Sequence, residues 1–181
     1  MCRSRSAQGF TLVELMLAAL LGCFLCGVAF QLLFAETRQG GALTARLQLK
    51  QWQRRTLQLL KGDLERASSW QIDPDVTADW PCALADRQPK LAITPRDGSD
   101  PVVYSLGKAP SAIWRGDVLM RCGPAFDLHG GIRSGSRYQN RVVLDDVDRF
   151  QLQQPSDLPV LQMQLEQRTR RGGRVRSQGV G

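Results

Sequence analysis

An apolar run from Phe10 to about Phe34, broken by a single acidic residue at Glu14, constrains this chain more than any other feature. A carboxylate at the centre of a bilayer costs about 3 kcal/mol, so a charge in such a segment needs a cationic partner. Gly9 precedes the run, and a short basic leader with Arg3 and Arg5 precedes Gly9. A cut after Gly9 would give Phe10 a free amine one helical turn from Glu14, with the positive end of the helix dipole behind it. Cleavage would thus create the missing cation. Other fates compete. Gly27-Val28-Ala29 would suit an ordinary secretory peptidase, Leu20-Leu21-Gly22-Cys23 would suit lipidation at Cys23, and the run could remain an uncut anchor. The first two discard Glu14 and leave the apolar stretch from Phe24 to Phe34 without a purpose.

No proline occurs between Phe10 and Ala67, which predicts one long helix over that span. Its first part, residues 10–36, is long enough to cross a bilayer core, at about 37 Å up to Phe34. In the second part, 37–69, Leu49, Trp52, Thr56, Leu60, Leu64 and Ala67 recur at three- and four-residue spacing, with Lys50, Arg54, Arg55, Lys61 and Glu65 largely between them. That stripe is expected to pack on a sheet. Gly40-Gly41 costs about 1 kcal/mol per residue relative to alanine, and reads either as a hinge or as an exposed spot without a role.

With 181 residues there is room for a leader, one membrane helix and one modest domain. All nine prolines fall beyond residue 70, which favours turns and short strands there. Strands are predicted at Leu91–Thr94, Val102–Leu106, Ala112–Arg115, Val118–Arg121, Val142–Leu144, Phe150–Leu152 and Val160–Glu166. The expected fold class is α+β, a long N-terminal helix packed on a mainly antiparallel β-sheet, with the β-rich head at 70–167.

The first 34 residues resemble the class III signal of the type IV pilin family: a basic leader (1–9), a cut site at Gly9/Phe10, glutamate at the fifth mature position and an unbroken apolar stretch. The resemblance implies that a prepilin peptidase cleaves after Gly9 and methylates Phe10. It also implies that Glu14 pairs with the terminal amine of a neighbouring subunit in a filament. A single-pass inner-membrane protein with a periplasmic head, later built into a pilus or pseudopilus beside other pilins, is what the family would make of this chain. Within that class, Leu59–Ala67, the Val103–Leu106 to Ile113–Arg115 hairpin and Val142–Val147 look like PilW-type minor pilins and J-type minor pseudopilins of type II secretion. Gln31 stands where many pilins have a helix-kinking proline. In an oxidising periplasm Cys82 and Cys122 can pair and close a loop of about 40 residues, worth about 3 to 4 kcal/mol; two separate thiols are the alternative. Cys23 and Cys26 read as small packing residues in the membrane helix rather than as a redox pair.

Nothing in the sequence argues for catalysis or a cofactor. His129 is the sole histidine, and Asp145, Asp146 and Asp148 lack the glycine and terminal glutamate of a calcium loop. No nucleotide-binding glycine pattern or serine elbow occurs. Net charge is +7, and Arg168, Arg170, Arg171, Arg174 and Arg176 crowd the last residues among glycines. The stretch 168–181 is therefore expected to be a disordered basic tail, a candidate for phosphate or DNA binding; a solvated tail that only aids solubility is the competing reading.

Overall fold

A computed structural model of the chain describes residues 11–76, 80–126, 136–156, 158, 160–169 and 172–181. Gly9, Phe10, His129, Arg170 and Arg171 lie outside them. One helix, α1 (Leu12–Glu65), is followed by eight strands: β1 (Ala67–Ile72), β2 (Gln88–Pro95), β3 (Val102–Lys108), β4 (Asp117–Gly123), β5 (Gln139–Leu144), β6 (Val147–Gln153), β7 (Gln162–Arg168) and β8 (Arg174–Val180). The chain divides into two compact units, one up to Thr44 and one from Ala45 onward.

The first unit consists of the apolar part of α1. Every side chain from Leu12 to Leu32 is exposed, and this 21-residue stretch has a mean hydropathy of 2.3. By length and composition it can cross a membrane.

In the second unit, all neighbouring strands pair antiparallel in two sheets, β1-β2-β3-β4-β5 and β6-β7-β8. The helical residues Leu57, Leu60 and Leu64 join Leu91, Ile93, Val102, Tyr104, Leu119, Leu144, Phe150, Met163 and Leu165 in one core fed by both sheets. The predicted stripe is buried at Thr56, Leu60, Leu64 and Ala67 and departs at Trp52. Trp52 is half exposed, whereas its neighbour Gln53 is fully buried. Periodicity favours the aromatic residue, but Gln53 carries the bonds. Its amide donates to the Val175 carbonyl of β8 at 2.9 Å and accepts from the Ser177 hydroxyl at 2.6 Å. Thr56 donates to the Val143 carbonyl of β5 at 3.2 Å, so adjacent turns of the helix hold both sheets.

Three expectations need correction. The helix ends at Glu65, and β1 begins at Ala67, because Ala67 and Ser69–Ile72 find partners in β2 and Arg96 donates to the Ala67 carbonyl at 2.8 Å. Residues 112–115 form no strand; they belong to the turn between β3 and β4, which ends at Gly116 in a left-handed conformation (φ 53°). The hairpin partner of β3 is instead β4. Lastly, the described part of 168–181, residues 168, 169 and 172–181, is not a disordered tail. Arg168 closes β7, and Arg174–Val180 form β8, paired residue by residue with β7. Val175 fills a buried site, Gly179 lies against Leu57 and Met163, and the Gly181 carbonyl and amide exchange hydrogen bonds with Leu161.

The far face of the five-stranded sheet is covered by a strap. Cys82 and Cys122 are joined in a disulfide, Asn140 donates to the Ala83 carbonyl at 2.9 Å, and Arg87 packs against Gly107, where a Cβ would come within 3.0 Å of its side chain. Val103, Ser105, Val118 and Met120, on the Cys122 side of β3 and β4, are buried. Burial depresses the affinity of the Arg87 guanidinium for its proton.

Two outcomes follow. Replacing both Cys82 and Cys122 by serine lowers unfolding free energy by about 3 to 4 kcal/mol, read from urea titration under oxidising conditions. Gln53→Ala strands the Ser177 hydroxyl and the Val175 carbonyl and costs about 2 kcal/mol, with hydrogen exchange accelerated most in β8.

Candidate functional site

The start of α1 is built as a reciprocal cap. Thr11 is the N-cap: its hydroxyl accepts the Glu14 amide at 3.3 Å, and its carbonyl accepts the Leu15 amide at 3.2 Å. In return the Glu14 carboxylate, through Oε2, accepts both the Thr11 amide and the Thr11 hydroxyl at 3.0 Å. This is the Thr-x-x-Glu capping box, which satisfies backbone donors that a helix N-terminus leaves open. The same residue that the charge argument singled out therefore also defines where the helix begins. Around it the described surface is apolar and unburied, with Leu12, Leu20, Phe24 and Phe30 each more than half exposed. Cys23 and Cys26 are free and exposed on this stretch.

The end of α1 is fixed by a second carboxylate. Asp63 is almost entirely buried, with 1% of its side chain exposed. Arg121 of β4 grips it with two bonds, Nε to Oδ2 at 2.7 Å and Nη2 to Oδ1 at 2.9 Å. The Tyr104 hydroxyl of β3 donates to Oδ2 at 2.7 Å, and Arg66 donates to Oδ1 at 2.9 Å. Arg121 is itself completed by the Pro124 carbonyl at 3.1 Å and by the Phe126 ring, 4.7 Å below it. A side chain at Gly123 would lie 2.6 Å from the guanidinium, so only glycine fits there. Burial, more than the charge of Asp63, pushes the Tyr104 hydroxyl far above its ordinary range. Burial alone would lower Arg121, but its hydrogen bonds to Asp63 and the charge of that carboxylate outweigh it and raise the guanidinium. The network can hold the helix on the sheet; with every oxygen of Asp63 committed to donors, it offers no free base.

Arg168, Arg174 and Arg176 are engaged within their own sheet. Arg168 Nε donates to Asp148 Oδ1 at 2.6 Å, Arg174 Nε lies 2.9 Å from Asp148 Oδ2, and Arg176 Nε lies 2.9 Å from Glu166 Oε1. Hydrogen bonding from Arg168 is the main cause that holds the Asp148 carboxyl below its ordinary range. Asp145 and Asp146 form the tight turn from β5 to β6, Asp146 with φ 53°. Sequence reasoning missed Asp63 and Arg121 as a pair, since 58 residues separate them and neither lies in a local motif. An aspartate on the apolar face of the last turns, beside Leu60 and Leu64, was the available signal.

The sequence profile of the Prokaryotic N-terminal methylation motif matches residues 4–30. That match to the N-terminal segment supports a type IV pilin-like protein with a class III signal, a pilin or pseudopilin precursor, and the α+β fold, an N-terminal apolar helix followed by a mostly antiparallel β head, is consistent with it. The motif implies processing by prepilin peptidase and assembly with other pilins, and with the apolar helix it fits a membrane-anchored pilin whose head lies outside the cytoplasm. No curated protein sequence and no solved structure is significantly similar to the chain.

Asp63→Asn leaves Arg121 buried without its counter-charge and costs about 3 to 5 kcal/mol in urea unfolding, whereas Asp63→Leu combined with Arg121→Met recovers most of that loss. Tyr104 predicts an alkaline limit. Its folded-state pKa is raised, so the stability it contributes is complete below the unfolded value of about 10 and is lost as pH rises past it. Tyr138 is shifted upward as well, chiefly by burial, and adds in the same direction. Unfolding midpoints measured between about pH 8 and about pH 11 fall in the wild type and fall less in Tyr104→Phe.

Proposed function

We propose that this chain is a minor type IV pilin, cleaved after Gly9, methylated at Phe10 and incorporated into a pilus as a tip or assembly-priming subunit. The observation that carries the reading is the apolar 21-residue span, unburied throughout and headed by Glu14, which requires lipid at first and other helices later. In the inner membrane the span is surrounded by lipid and the head is periplasmic. In the filament, Glu14 receives the Phe10 amine of an adjacent subunit, a cation that offsets the cost of the carboxylate among apolar helices. Glu14 already organises the Thr11 end of its own helix, so the amine meets a carboxylate held in place rather than a freely rotating one.

The minor role rests on the likeness of Leu59–Ala67 and Val142–Val147 to PilW-type minor pilins and J-type minor pseudopilins. The first segment carries Asp63 and the second carries the turn on which Asp146 sits. The likeness once drawn for a hairpin ending at Ile113–Arg115 is dropped, since β3 pairs with β4. The pairing of Arg168, Arg174 and Arg176 with acids removes the ground for a cationic tail, and DNA binding is not part of the proposal.

Sheared filaments test the proposal. The chain is expected in them at a small fraction of the major subunit, its deletion to reduce the number of pili without reducing secretion, and Glu14→Ala to be cleaved normally yet absent from filaments. Normal piliation with failed secretion in the deletion strain would assign the chain to a pseudopilus instead.

A further inference from the structure

The outer face of the three-stranded sheet carries a regular array of amides. Strand register places Gln151 beside Gln164 and Gln164 beside Gln178, a complete row across β6, β7 and β8. The next row is Gln153, Gln162 and Val180. A third row, Arg149, Glu166 and Arg176, borders the first on the other side. The alternate residues Phe150, Leu152, Met163 and Leu165 point into the core or pack against it, so the glutamines face outward by the period of the strand. All but Gln164 are exposed, and together they line a depression of about 260 Å³. Gln164 is oriented by donating to Glu166 at 3.3 Å.

Solvation explains an occasional surface glutamine; five in two registered rows around one depression need a further reason. The chemistry of the rows excludes most ligands. Phosphate-bearing polymers need several unpaired cations, and of the two arginines in the bordering row Arg176 is committed to Glu166, which leaves Arg149 alone. A lipid surface or a protein partner would need apolar or aromatic anchors, and apart from the aliphatic Val180 the two rows provide none. Each amide carries two donors and an acceptor without charge, which matches ligands whose hydroxyls both donate and accept. Rows about 4.8 Å from strand to strand and about 6.8 Å from one row to the next form a flat lattice that suits an extended chain of such groups.

We infer that the outer face of β6–β8 is a binding site for a neutral, hydroxyl-rich polymer, an extended glycan strand laid over the Gln151-Gln164-Gln178 and Gln153-Gln162 rows. The site belongs to the head alone and does not depend on whether the chain is built into a pilus.

The test is calorimetric titration of the full chain, purified in a zwitterionic detergent without a sugar headgroup, with cellohexaose and with chitohexaose at low and at high salt. The expected result is binding of at least one probe with an affinity that salt leaves unchanged. In the Gln151→Ala/Gln164→Ala/Gln178→Ala variant that affinity falls by about tenfold or more, the loss of two or three hydrogen bonds, while the far-ultraviolet circular dichroism is unaltered. Should that variant misfold, Gln153→Ala/Gln162→Ala serves the same comparison. No binding of either probe, equal binding by the variants, or binding abolished by salt each overturns the assignment. So does a failure to bind glycan alongside self-association of the chain that the variants abolish, which would make the face a protein contact.

Discussion

The buried pair of Asp63 and Arg121 decides how the strands of the head are arranged against the last turns of α1. Two charges withdrawn from water are tolerable only when each is fully bonded, and here Asp63 has donors from Arg121, Tyr104 and Arg66 while Arg121 also has the Pro124 carbonyl. That demand places β3 and β4 against the last turns of α1 and requires glycine at position 123. Because side chains alternate along a strand, the residue after Arg121 faces the other way, and there Cys122 bonds to Cys82. Strand β4 is thereby held on both faces, by an ion pair toward the helix and by a covalent strap behind.

The opposite end of α1 has the reverse character. Glu14 and Thr11 close the first turn locally, with bonds across three residues, and nothing in the described chain covers the apolar surface beyond them. The head has its own core and satisfied helix contacts at Gln53, Thr56 and Asp63. The span has no such cover among the described residues. By length and composition it suits lipid or the company of similar helices, which is what a pilin-like subunit calls for.

Features carried by local composition were legible in the sequence. The apolar run, the position of Glu14, the absence of proline up to Ala67 and six of the eight strands can be read from residue types and turn signals. Those set by tertiary pairing were not. Gln53 looks like a surface residue until β8 supplies a carbonyl and a hydroxyl for it. β1 follows the helix without a breaking residue, so only its pairing with β2 ends the helix at Glu65. Arg174 to Val180 read as a solvated tail because alternating arginine and glycine suggest little to bury, yet Val175 and Gly179 face the helix and the arginines find Asp148 and Glu166 on neighbouring strands. Ile113 and Trp114 erred the other way: their β propensity is real, but they lie in a turn, with Ile113 81% exposed.

The account depends most directly on the new N-terminus at Phe10. Intact mass and N-terminal sequencing of the protein recovered from membranes, with and without prepilin peptidase, measures it. The account predicts a chain beginning at N-methylated Phe10 when the peptidase is present and an uncut chain when it is absent. A start at a lipidated Cys23 or at Phe30, or the same uncut chain in both strains, would contradict it.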